Sequence, residues 1–283
     1  MTARNIYRKT VNNVMLTLTG VCAFLTVSTL FVILAFLVYN GASSVNLDFF
    51  TKLPRPTGEA GGGMANAILG SAEIVTFASL LGIPVGFFTG VYLAEWGGGG
   101  TFSFVVRYTC DLLNGVPSIV VGIFASIVIV KPTGHFSALA GGFALSMILI
   151  PITAKSTEQF LLEVPRALRE GSLALGATKW RTIASVVVPA ARKGIMTGII
   201  LGVARISGEA APLLFTSLNN EYWSSGLAEP TASLPYMIYT RALSPYDDWH
   251  RQAWAAGLVL LCLVLVANIA ARLIVSRGTT ARG

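Results

Sequence analysis

The sequence predicts an all-α integral membrane protein with six transmembrane helices, on three observations. Hydrophobic residues make up 54% of its 283 residues and charged residues only 12%, against about 25% charged in an average soluble domain. The charges gather in short clusters, leaving uncharged runs at 10–47, 74–94, 112–130, 136–154, 210–220 and 252–271, most of which reach the roughly 20 residues that a spanning helix needs. The segment 194–217 has the same length and apolarity but holds Arg205 and Glu209 near its middle, so it reads as a span with buried charge. A single transmembrane domain over 1–283 follows, with an N-terminal tail at 1–12 and one long basic connector at about 155–193.

The first span is preceded by Arg4, Arg8 and Lys9, but its apolar run is far longer than the 7 to 15 residues of a cleavable leader, so it remains as an anchor. The connector 40–66 holds Asp48, Glu59 and the run Gly61 to Gly63, which suits either a hinge at the membrane surface or a backbone nest for an anion. Gly82, Gly86 and Gly90 line one face of the second span, and Gly194, Gly198 and Gly202 one face of the fifth. Faces of this kind let helices approach closely in lipid, within one chain or between two. Pro84 and Pro117 should kink or interrupt their helices. Arg107 and Asp111, four apart at the inner end of the third span, read as a snorkelling salt bridge or as a cytoplasmic gate. Lys and Arg collect at the N-terminus, in the 155–193 connector and at Arg272, Arg277 and Arg282, which places both termini and that connector in the cytoplasm. The connector 218–250 carries Glu221, Glu229, Asp247 and Asp248, as expected for the outside, with aromatic residues suited to the interface. The net charge of +7 therefore reflects topology and not nucleic-acid binding.

The same inventory argues against catalysis. Cys22, Cys110 and Cys262 lack metal-ligand spacing, His135 and His250 sit at loop edges, and no lysine follows a glycine, so no phosphate loop exists for nucleotide hydrolysis. No metal or cofactor is expected on this chain.

Arg205 and Glu209 carry the chemistry. Four residues apart on a helix, they should share a face and pair. A central arginine facing lipid costs roughly 2.5–3.5 kcal/mol, so both side chains should face the bundle interior or a wet cavity. A guanidinium offers a planar fork suited to phosphate or another tetrahedral oxyanion. One arginine neutralises only part of a divalent anion, so Lys155, Ser207 and a partner subunit should supply further donors, with Glu209 keeping the arginine from trapping the substrate. A buried ion pair of purely structural value is the competing reading.

A second constellation lies in the connector. Glu170, Gly176, Val186 and Pro189 fall at the spacings of the coupling loop of ABC importer permeases, Gly171 and Ser172 standing where that pattern has two alanines. Gly176 should end one short helix in a left-handed cap, and Pro189 should stop the helix after it. The segment Ala204 to Thr216 adds specificity, together with Glu59 to Ser71, Pro117 to Phe124 and Gly194 to Ile199. On these stretches the chain resembles the phosphate-uptake permeases of the type I ABC importer family. That resemblance implies a six-helix permease fold in the bacterial inner membrane, paired with a second homologous permease. It also implies two ATPase subunits that hold ATP and magnesium and dock on Glu170, Gly171, Ser172, Gly176, Lys179 and Trp180, and a periplasmic phosphate-binding protein that delivers substrate. Arg205 and Lys155 would face the pathway; Lys155 stands where the family has arginine. A self-sufficient anion transporter using a proton on Glu209, and a noncatalytic membrane scaffold, are the alternatives, and molybdate or sulfate are alternative substrates.

Overall fold

A computed structural model describes residues 3–56, 59, 61–224 and 226–280. Arg282 lies outside the described residues, and Arg277 is described only as part of its helix. The helices in chain order are α1 Ala3–Gly41, α2 Leu47–Thr51, α3 Ala65–Glu95, α4 Thr101–Gly115, α5 Ser118–Ala125, α6 Lys131–Thr133, α7 Ala138–Leu162, α8 Arg166–Ala174, α9 Lys179–Thr182, α10 Val188–Ser207, α11 Leu234–Ala242 and α12 Asp247–Thr280. The predicted tail 1–12 is helical from Ala3 onward.

The bundle is built around α7. Gly134 turns the chain at φ 76°, and the Ser137 hydroxyl caps α7 by accepting from the Ala140 amide at 3.2 Å, satisfying one otherwise orphaned donor. The two glycine rows pack against α7 inside this chain, which settles the choice left open by their spacing. A Cβ added at Gly82, Gly86 or Gly90 would meet Leu149, Ile150 with Thr153, or Ala154 with Thr157 in turn, so α3 runs parallel to α7 in register. Additions at Gly194, Gly198 and Gly202 would meet Phe160, Ser156, and Leu149 with Ile152, so α10 runs antiparallel on another face. Ser156 Cβ would lie 2.5 Å from a Cβ at position 198. Gly198→Val should therefore cost about 1–3 kcal/mol of overpacking, measured as a lower melting temperature of the solubilised chain.

Five helices are long and apolar enough to span a membrane, and the sixth span exists only as the pair α4 and α5–α6, bent by 105°. The span read over 112–130 is thus interrupted at Pro117, as that proline predicted, and its bounds are corrected to Thr101–Thr133. Pro117 holds Val116 extended at ψ 132° and cannot donate to a continuing helix, so the chain turns there. Pro189, expected to end a helix, does not. A π turn at Ile183–Val187 precedes it, and α9 runs through that turn into α10. The same pairing recurs where the π turn Ser126–Val130 precedes Pro132. A widened turn gives the proline ring room against the preceding carbonyls. The connector shortens accordingly from 155–193 to 163–178, because α7 and α9 extend past the apolar runs.

Helices α1 and α12 flank the bundle as an antiparallel pair. Gly41 lies against Trp254 and Leu258, and the Phe36 and Trp254 rings meet edge to face at 5.4 Å. The last glycine of the Gly61–Gly63 run is fixed by backbone pairing with the preceding segment. The amides of Gly63, Met64 and Ala65 donate to the carbonyls of Leu53, Phe49 and Lys52 at 3.0, 2.9 and 3.2 Å, which leaves them nothing to offer an anion.

Candidate functional site

Helix α10 stops partway through the bundle. Carrying its contact register on from Gly202 sets Arg205 opposite Leu149, near the midpoint of α7. From there α7 continues eleven residues, about 16 Å, beside chain that is not α-helical. The gap is filled by residues 208–224 and 226–233. Pro212 sits against Gly122, and Leu213 and Ser217 against Gly141. The Ser137, Ala138 and Leu139 amides donate to Thr216, Glu229 and Leu227 carbonyls at 3.0, 3.1 and 3.0 Å. Thr216 and Ser217 are fully buried and Thr231 nearly so. Irregular backbone at membrane depth survives only where protein or a wet cavity satisfies it, and here the first condition is met.

This ending corrects the expected pairing of Arg205 with Glu209. Arg205 occupies the last turn of α10, Gly208 and Glu209 turn away with amides bonded to Arg205 and Ile206 carbonyls at 3.2 Å each, and among the described residues no ion pair joins the two side chains. Arg205 is exposed on the surface of the isolated chain, and Glu209 is half-buried. Leu201, one turn away on the same stripe, is 54% exposed. Ser207 points elsewhere: its hydroxyl donates to Val203 at 2.7 Å, and it lines an apolar groove of about 480 Å³ with Ser71, Val75, Val203 and Leu263. Lys155 lies about six residues nearer the connector end than the level of Arg205, roughly 9 Å along the axis, and its ammonium is paired with Asp111. The structure thus does not bring Arg205, Lys155, Ser207 and Glu209 into one cluster within this chain.

Arg107 and Asp111 do not pair with each other either; each reaches across from α4 to α7. The Arg107 guanidinium donates to Glu158 at 2.7 Å and to the Leu93 and Gly97 carbonyls at 3.0 and 3.4 Å, while Asp111 holds Lys155. Two crossed pairs therefore tie α4 to α7, and Arg107 also covers the carbonyl-rich end of α3, where a cation is favoured. Glu158→Gln should weaken this tie by about 1.5–3 kcal/mol, the worth of a hydrogen bond to a charged group. A lower melting temperature of the purified protein is the check.

The connector forms a helical hairpin in which only α8 is a separate short helix, since α9 runs on into α10. Gly176 adopts φ 82°, its amide donates to Leu173 at 2.9 Å and that of Ala177 to Ser172 at 3.2 Å, closing α8 as its glycine requires. The Thr178 hydroxyl caps α9 by accepting from the Arg181 amide at 3.3 Å. Glu170, Gly171, Lys179 and Trp180 are exposed, Ser172 is half-buried and bonded to Thr182 at 2.9 Å. Leu168, Leu173, Leu175 and Trp180 are 46%, 48%, 90% and 61% exposed, an apolar set on a charged loop that fits an interaction surface. Sequence reasoning missed the residues that hold this hairpin in place, Glu95, Trp96 and Arg169. Arg169 bonds Glu95 at 2.8 Å, a pairing across 74 residues that no local spacing signals.

Residues 82–279 match the family model described as the binding-protein-dependent transport system inner membrane component. The phosphate transport system permease protein PstA of Yersinia pestis is 44% identical over 240 residues, 85% of this chain and 81% of the relative. PstA of Haemophilus influenzae is 42% identical over 270 residues, 95% of each chain. The probable PstA of Methanocaldococcus jannaschii is 37% identical over 265 residues, 92% of each. Among solved structures, a bacterial ABC transporter involved in alginate import superposes with a TM-score of 0.65 at 14% identity, over 97% of this chain and 98% of that one. The inward-facing MetNI methionine ABC transporter gives 0.62 at 20% identity, over 76% and 96%. These likenesses concern the fold, which is that of an ABC importer permease. With the family model covering most of its length and relatives this similar along nearly all of it, the chain belongs to the binding-protein-dependent transport system inner membrane components, in the group of the PstA permeases.

Proposed function

We propose that this chain is the transmembrane permease subunit of an ATP-driven phosphate importer, forming part of the translocation pathway and coupling to ATPase subunits through its connector. The observation that carries the reading is an arginine without an ion-pair partner among the described residues, exposed at mid-depth where α10 breaks off, in a chain whose relatives are phosphate permeases along nearly their whole length. Lipid would make such an arginine costly. A water-filled pathway shared with a second, PstC-like permease accounts for its exposure, and Arg205 there supplies a forked donor to a tetrahedral oxyanion. Lys155 and Arg107, tied into the α4–α7 pairs on the connector side, serve as a charged boundary of that pathway and release or keep their partners as it opens. Glu209 and Ser207 contribute at a distance, Glu209 through the field at the broken helix end and Ser207 by closing the last turn of α10.

The connector end faces the cytoplasm in this reading, with both termini, because α1 and α12 run antiparallel and return there. Two PstB-like ATPase subunits dock on α8 and α9, and ATP and magnesium belong to them. A PstS-like binding protein meets the opposite end. The surrounding lipid is that of a bacterial inner membrane, and this subunit itself catalyses nothing.

Leu175→Asp tests the coupling half. Leu175 is 90% exposed, so the substitution should leave the fold intact. The variant should still purify with the second permease but lose the ATPase, and ATP-driven phosphate uptake should fall at least tenfold. A variant that keeps both would place the docking surface elsewhere and overturn this assignment.

A further inference from the structure

We infer that Glu95 is a positioning residue that fastens the connector to the end of α3, so that a push on α8 and α9 is delivered to the α3–α7 pair and through it to the depth of Arg205. The inference rests on the proposed function and deepens it by naming the element that carries the push.

Four attachments converge on one point. The Glu95 side chain is only 8% exposed and accepts from Arg169 at 2.8 Å. The same guanidinium donates to the Leu161 and Val164 carbonyls at 2.8 and 3.1 Å, so one fork of donors clamps the ends of α3 and α7 to α8. The Glu95 carbonyl accepts from the Lys179 ammonium of α9 at 2.6 Å. That ammonium also lies 4.9 Å from the centre of the Trp96 ring, whose neighbour is the Trp180 ring at 6.4 Å. Cations are favoured at a helix C-terminus, and α3 receives Arg107, Arg169 and Lys179 there.

The two helices grasped by Arg169 are also closely seated on one another. Gly86 and Gly90 receive Thr153 and Thr157 so closely that an added Cβ would lie 2.7 and 2.6 Å from their Cβ atoms. Sliding α3 along α7 would drive those side chains out of their notches. The α3–α7 pair therefore behaves as one body, and α8 is bolted to its end through a charged contact largely removed from water. If the Glu95 carboxylate is lost, Arg169 keeps the Leu161 carbonyl on α7 and the Val164 carbonyl just beyond it, and the tie of α8 to α3 is what disappears, leaving α9 held to α3 through Lys179.

The test uses the purified complex of this chain with its co-purifying partners in proteoliposomes, measuring phosphate taken up and ATP hydrolysed in the same preparation. Glu95→Gln should assemble and hydrolyse ATP near the wild-type rate while phosphate delivered per ATP falls at least fivefold. Glu95→Asp, which keeps the charge, should retain most of the wild-type ratio. A merely structural role would lower uptake and hydrolysis together through lost complex, leaving the ratio unchanged, and that result overturns the inference. Hydrogen exchange supplies an arm that needs no substrate: Glu95→Gln should speed exchange across 163–182 while 74–90 stays protected. Unchanged exchange in the connector also overturns it. If the wild-type complex shows no ATP-dependent phosphate uptake, the proposed function fails and the exchange result alone decides the fastening.

Discussion

Arg205→Gln is expected to lower ATP-driven phosphate uptake by about 10- to 150-fold with the complex intact. A hydrogen bond to a charged group is worth about 1.5–3 kcal/mol, which corresponds to that range at about 1.4 kcal/mol per tenfold. Glutamine keeps one amide donor group but is about two bonds shorter and loses the charge and the planar fork. Arg205→Lys should be intermediate, since it keeps the charge as a point and loses only the bidentate geometry. Stability should hardly move, because Arg205 has no ion pair to break among the described residues and exposed positions usually shift stability by no more than about 0.5 kcal/mol. Uptake is read with labelled phosphate, and stability as the melting temperature of the purified complex. Wild-type uptake in Arg205→Gln would remove this residue from the pathway. A large loss of stability would restore the structural reading.

Gly90→Leu should have the largest effect on the protein itself. A Cβ at this position would come 2.5 Å from the Ala154 carbonyl oxygen, 2.6 Å from Thr157 Cβ and 3.0 Å from the Glu158 amide nitrogen. Two of these are backbone atoms, which cannot rotate away, so α3 must shift off α7. Overpacking costs typically 1–3 kcal/mol and more when backbone must shift. The shift would also strain Glu158, whose carboxylate holds Arg107, and the clamp of Arg169. We expect little assembled complex and a melting temperature several degrees lower, measured against Gly20→Leu. Gly20 has nothing within 4 Å of an added Cβ, so leucine there should behave as wild type. Equal stability of the two variants would show that the glycine row is not the seam between α3 and α7.

The two glycine rows were legible because small residues four apart mark a face, and Pro117 was legible because a missing donor and a restricted predecessor interrupt a helix. Gly176 ended α8 as its spacing foretold. The residues that escaped share a different cause. Arg107 and Asp111 have the spacing of an intrahelical pair, but α4 lies close enough to α7 that Glu158 and Lys155 win them, and partner choice of that sort depends on tertiary approach. The end of α10 at Ser207 was hidden by apolar residues at 210–220 that continue the hydropathy of a span. Pro212, which disfavours helix in the residue before it, was the available signal. Pro189 misled in the opposite direction, because a π turn absorbed the ring and kept the helix intact. Glu95 and Arg169 lie 74 residues apart, and only the fold brings them together.

The most direct test of the central claim is uptake of labelled phosphate into proteoliposomes holding this chain with its co-purified partners, compared with and without ATP and with vesicles holding this chain alone. The account predicts uptake only from the complex, only with ATP, and displaced by unlabelled phosphate more effectively than by sulfate or molybdate. Uptake by the chain alone without ATP would contradict it and would make this protein a self-sufficient anion transporter.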